Sequence, residues 1–124
     1  MIKYDLYWYP YEYLSATEEP IKKRPVIIID NHTVLPIAME VTSHGPRSVE
    51  EGHWDYPIEN WREAGLQVPS TAVTTEVNYI SSSTIPDYDY IGHLTNFDIE
   101  NLEIMLRTLP DELEPELPDL EDFR

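Results

Sequence analysis

The chain of 124 residues has no cysteine, only four glycines and two phenylalanines, and eight Lys and Arg against 24 Asp and Glu. Without cysteine there is no disulfide staple, thiolate metal site or cysteine nucleophile, and the composition fits a reducing compartment. None of the four glycines stands in G-x-G-x-x-G or G-K-S/T order, which excludes a glycine-rich phosphate loop. No H-x-H or H-E-x-x-H spacing occurs, so neither a metal nor a cofactor is expected. The longest strongly apolar run, Val26-Ile27-Ile28-Ile29, is far short of the ~20 residues that cross a bilayer. Met1 to Leu6 lacks the basic and apolar regions of a secretory signal. The chain is therefore expected to be cytoplasmic, with no membrane partner.

What is present is acidity. The formal net charge is −16, and no Lys or Arg occurs between Arg62 and Arg107. The one basic cluster is Lys22-Lys23-Arg24. Such a field repels nucleic acid at long range and favours cationic partners. The apolar fraction of 41% still suffices for one modest core, and the length for one domain.

Tyr4 to Tyr9 is aromatic-rich and reads as a strand. Pro10 to Lys22 reads as a long polar loop. Pro25 to Asp30 holds a continuous β-branched run, the mark of a strand buried on both faces. A turn at Asn31-His32 then returns the chain through Val34 to Ser43, so that two strands pair as a hairpin. Tyr56-Pro57-Ile58 reads as a short strand, Asn60 to Ala64 as one helical turn ending at Gly65, and Ser70 to Val77 as a strand that Tyr79-Ile80 extends. Asp87 to His93 reads as a further short extended piece. Thr95 precedes a helix over 96–109 whose apolar stripe is Phe97, Leu102, Met105, Leu106 and Leu109, stopped by Pro110. Residues 110–124 form an acidic, proline-containing tail with too little apolar content to pack, and it is expected to be disordered. Many short strands with one C-terminal helix predict a mainly β domain over 1–109: a small antiparallel barrel, closed to hide its edges.

Several of these pieces resemble the MazF/PemK-like toxins. Lys23-Arg24-Pro25 followed by Val26 to Ile29 resembles the K-R-P-hydrophobic second strand of that family. Ile37 to Ser43 is similar to its third strand, which ends in a Thr-Ser or Thr-Ala pair. Trp61-Arg62-Glu63-Ala64-Gly65-Leu66-Gln67-Val68-Pro69-Ser70 resembles its W-x-x-A-G-L-x-x-P-S stretch, and Ile91-Gly92-His93-Leu94 its I-G-x-L strand. The resemblance implies an SH3-like (CcdB/MazF-type) barrel that forms a homodimer. It also implies a metal-independent endoribonuclease toxin, paired with a cognate antitoxin, in which an RNA 2′-hydroxyl attacks the adjacent phosphate.

Under that resemblance the catalytic arginine falls on Arg24 and the catalytic threonine on Thr42, with Lys22, Lys23 and Ser43 as RNA-binding neighbours. The residue types suit the chemistry. A guanidinium offers forked donors of fixed charge to phosphate oxygens, and a hydroxyl can donate to the same atoms. Arginine is a poor proton carrier, so a separate general base is needed. On an extended strand Glu40, Thr42 and His44 share a face, which makes His44 a candidate. His44 equally fits a loop histidine beside Gly45, and Arg24 a residue snorkelling over the barrel end.

The sequence departs from the family where relatives carry Arg or Lys on the strand after Pro-Ser. Here that place holds Thr74-Thr75-Glu76. A second reading follows: a catalytically inactive binding protein whose acidic surface mimics nucleic acid and occupies a basic nucleic-acid-binding protein or nuclease. A plain SH3-like interaction module is a third. In the first reading the acidic tail can cover the basic cluster in cis, and deleting 111–124 then raises activity.

Overall fold

The computed structural model describes residues 1–10, 23–31, 35–81, 83 and 85–115. Six strands form: β1 (Asp5–Pro10), β2 (Lys23–Asp30), β3 (Ile37–Thr42), β4 (Asp55–Pro57), β5 (Thr71–Tyr79) and β6 (Tyr90–His93). One α-helix, α1 (Asn96–Arg107), follows. The strands make a single antiparallel sheet in the order β4-β5-β3-β2-β1-β6. The sheet is mainly β with a C-terminal helix, as the sequence predicts, but it is not closed. Its edges are protected differently: β4 has three residues and β6 four, lengths that offer little to an incoming strand. Register shifts at Leu6/Tyr7, Ile28/Asp30 and Met39/Glu40 bend the sheet without joining its ends.

β2 explains why both faces are apolar. Ile27 lies in the main core with Leu6, Met39, Val41, Leu94 and Leu102. Its neighbours Val26 and Ile28 pack on the other face with Ala38 and Ile80. The β-branched run thus sits in the middle of the sheet and supplies both layers, and β2 pairs with β3 as the hairpin reading requires. The turn expected at Asn31-His32 lies partly outside the described residues, as do most of the 10–22 loop and residues 116–124 of the tail.

The helix meets the sheet through Leu102, Met105 and Leu106 of the expected stripe, but not through Phe97. Phe97 is 53% exposed, while Leu102 is fully buried with Ile99, Met105 and Leu106 beside it. The cause is Asp98, whose side chain is fully buried. It accepts hydrogen bonds from Tyr56 Oη at 2.6 Å, the Glu59 amide at 3.0 Å and the Asn60 amide at 2.8 Å. Those bonds fix the rotation of α1 and turn Phe97 outward with Ile104. Thr95 caps the helix as predicted, accepting from the Asp98 amide at 3.4 Å. The helix ends two residues before the expected Leu109, at a Thr108 cap.

The two motif glycines form one contact. Asn60 to Gly65 makes a helical turn, closed by Ala64 N–H donating to Asn60 O at 3.0 Å. Gly65 has φ +101°, and a Cβ there would lie 2.5 Å from the Ile91 carbonyl oxygen. A methyl on Gly92 would overlap the Ala64 carbonyl. The two backbones therefore touch, and only glycines allow it. The contact seats Leu66 in the core and sends Gln67 and Val68 towards the end of β3.

Candidate active site

The hairpin register assembles the site. The β2–β3 ladder runs as far as Val26 opposite Glu40, and Arg24 and Thr42 each lie two residues beyond that pair. Both residues line a cleft of about 280 Å³ at the ends of β2 and β3. Trp8, Pro25, Leu66 and Val68 border it as well. Arg24 keeps 33% of its side chain exposed. Thr42 is half-buried, and its Oγ1 accepts the His44 amide at 3.2 Å. With a lone pair engaged there, the hydroxyl proton remains free to donate into the cleft.

Lys23 and Ser43 also line the cleft, as the sequence reading expects. Lys22 lies outside the described residues. His44 is brought near Thr42 only through its backbone. β3 ends at Thr42, so the strand alternation that would aim the imidazole alongside Thr42 does not extend that far. The His44 side chain is exposed and does not line the cleft. Of the other histidines, His93 Nδ1 lies 2.9 Å from Asp5 Oδ1, on the far edge of the sheet.

The electrostatics of the site are unusual for an anion-binding surface. Lys23 Nζ lies 2.7 Å from Asp89 Oδ2, whose hydrogen bond pushes the ammonium pKa up. Arg24 Nη1 lies 3.3 Å from Glu40 Oε1. Close by, Arg47 holds Asp55 in a forked pair at 2.9 and 3.1 Å and adds its backbone N–H at 3.0 Å. Burial raises the Asp55 pKa, but the Arg47 bonds outweigh it and hold the carboxyl below its usual value of 3.8. Glu40 moves the other way. Burial pushes its carboxyl above the usual range, and the nearby Arg24 only partly offsets this. Among the described residues no three His, Asp or Glu side chains converge as they would around a metal ion.

The architecture recurs in solved structures. A chain described as an endoribonuclease from mycobacterial species superposes with a TM-score of 0.62 at 14% identity, over 88% of this chain and 89% of that one. At that identity the likeness establishes the fold, an open mainly β sheet backed by a C-terminal helix. No curated protein matches the sequence at a significant level. The sequence itself matches the model of the PemK-like, MazF-like toxins of type II toxin–antitoxin systems over residues 3–109. The chain belongs to that family.

Glu40 and Asp89, the carboxylates that hold the cleft cations, have no task in the sequence reading. The signal for Glu40 was available. Once β2 and β3 pair with Val26 opposite Glu40, Glu40 is the same-face diagonal neighbour of Arg24, within reach of a long side chain. Asp89 was not readable, because its contact with Lys23 spans 66 residues and depends on a 3₁₀ turn at Asp87–Asp89 just before β6.

Proposed function

We infer that the chain is a metal-independent endoribonuclease toxin that cleaves single-stranded RNA by attack of a 2′-hydroxyl on the adjacent phosphate. The observation that carries the reading is the meeting of Arg24 and Thr42 in one accessible cleft. The 2′-hydroxyl gives up its proton and its oxygen bonds to phosphorus. The bond to the 5′-oxygen breaks, that oxygen takes a proton, and a 2′,3′-cyclic phosphate remains. Negative charge grows on the non-bridging oxygens, where the Arg24 guanidinium and the Thr42 hydroxyl supply donors. Lys23, Ser43 and Lys22 guide the flanking phosphates, and Trp8 offers a ring face on the cleft rim. His44 serves as the proton carrier only if its exposed imidazole swings to the cleft, so His44→Ala decides that role: a loss of at least ~10²-fold assigns it.

Family membership supports a cognate antitoxin as partner and a homodimer as the working unit, in the cytoplasm and without a cofactor. The test is incubation of the purified protein, free of antitoxin, with a labelled RNA pool in chelator. Cleavage that disappears in Arg24→Ala supports the reading.

One observation favours the second reading, an inactive acidic mimic of nucleic acid. Both described cations lining the cleft, Lys23 and Arg24, are held by carboxylates, and the chain carries a net charge of −16. Absence of RNA cleavage, together with salt-sensitive capture of a basic nuclease or repressor, decides for it.

A further inference from the structure

Arg24 does not wait in the cleft as a loose side chain. Its Nη1 lies 3.3 Å from Glu40 Oε1, and the two residues sit on the same face of adjacent strands. Glu40 keeps only 14% of its side chain exposed and does not line the cleft. Thr42, two residues along β3 on the same face, is on the cleft side.

We propose that Glu40 is a positioning residue, whose carboxylate fixes the Arg24 guanidinium towards the cleft before RNA arrives and weakens RNA binding by its own negative charge. The inference rests on the reading of Arg24 as the phosphate-binding group. An arginine side chain has many rotamers, and one anchored nitrogen removes much of that freedom in advance. A guanidinium held in this way meets the developing charge with less reorganisation, which lowers the barrier. The same carboxylate lies within the ~10 Å over which charges interact at 0.1 M salt, so it repels the substrate that Arg24 attracts. Orientation and affinity are therefore opposed in one residue.

The surroundings of Glu40 act on its charge in both directions, and burial prevails. Arg24 faces it from β2, Arg47 from the segment after β3, Asp55 from β4 and Glu76 from β5. The two arginines favour its ionised form, and burial, Glu76 and Asp55 oppose it. Acidification protonates Glu40 earlier than an ordinary glutamate, and the charge-assisted bond to Arg24 weakens with it.

The substitution Glu40→Gln keeps the shape and removes the charge. In single-turnover and steady-state cleavage of a labelled RNA it is expected to lower kcat at least about tenfold, as for a displaced donor, and to lower KM about threefold through lost repulsion. Glu40→Asp keeps the charge but not the reach, so its kcat falls while its KM stays at the wild-type value. The wild-type kcat loses activity on an acid limb that Glu40→Gln lacks. In the free protein, the Arg24 Nε–Hε heteronuclear NOE is high in the wild type and falls in Glu40→Gln.

An unchanged or raised kcat in Glu40→Gln overturns the proposal, and so does a KM that rises as kcat falls, the pattern of plain structural damage. An Arg24 NOE that ignores the substitution overturns it as well. If the wild type cleaves no RNA while the Arg24 NOE still depends on Glu40, the ribonuclease reading fails and the clamp itself stands.

Discussion

Truncating Asp98 should be the most damaging single change away from the cleft. Its carboxylate accepts from the Tyr56 hydroxyl and from the Glu59 and Asn60 amides, and it is fully buried. Burial and the Asp98 carboxylate push the Tyr56 phenol well above its usual pKa, so Tyr56 remains the donor at any working pH. In Asp98→Ala the Tyr56 hydroxyl loses its acceptor in a buried bond, and the Glu59 and Asn60 amides lose theirs in part-buried ones. Each stranded donor costs ~1–3 kcal/mol, and water entering the hole recovers part, so the loss is about 3–5 kcal/mol. For a domain of this size the melting temperature drops by at least ~10 °C. Asp98→Asn keeps one acceptor oxygen and strands fewer donors, so its loss is about half as large. Urea denaturation of both variants, with Tyr56→Phe and the double variant, measures the coupling. A loss below ~1 kcal/mol in Asp98→Ala, or full additivity with Tyr56→Phe, would refute the hydrogen-bond argument.

Three further outcomes follow from the same structure. Gly92→Ala drives a methyl into the Ala64 carbonyl and should cost about 2–3 kcal/mol by urea denaturation, whereas Ala at the open Gly45 position does not clash. Arg47→Met leaves Asp55 buried without its partner; because the Arg47 side chain is 45% exposed, the loss is about 2–3 kcal/mol rather than that of a fully buried pair. The pH dependence then inverts. In the wild type the lowered Asp55 pKa adds stability above pH 3.8 that is lost as pH falls below that value, while in Arg47→Met burial alone raises the pKa and acidification stabilises the variant, which acid titration of the melting temperature checks.

Local pattern made much of the fold legible. The β-branched run of β2 announced a strand buried on both faces, and Ile27 and Ile28 do face opposite layers. The motif pieces around Gly65 and Gly92 stood out as sequence, but their reason is tertiary: the two backbones touch, and no local propensity encodes that contact. The helix stripe failed at Phe97 for a similar reason. Periodicity admits Phe97 beside Leu102, but the bonds gathered by Asp98 from residues some forty positions earlier set the rotation. Closure of the sheet was inferred from the need to hide edges, and short edge strands meet that need without closure. At the cleft, Arg24 and Thr42 line the same cavity. Strand alternation does not reach His44, because β3 ends at Thr42.

The most direct test of the account is the rate and end chemistry of RNA cleavage by wild type, Arg24→Ala and Thr42→Ala, measured in single turnover with chelator present. The account predicts wild-type products ending in a 2′,3′-cyclic phosphate, a loss of ~10²–10³-fold in Arg24→Ala and a smaller loss in Thr42→Ala. Cleavage at the wild-type rate in Arg24→Ala, or products with a plain 3′-hydroxyl end, contradicts it.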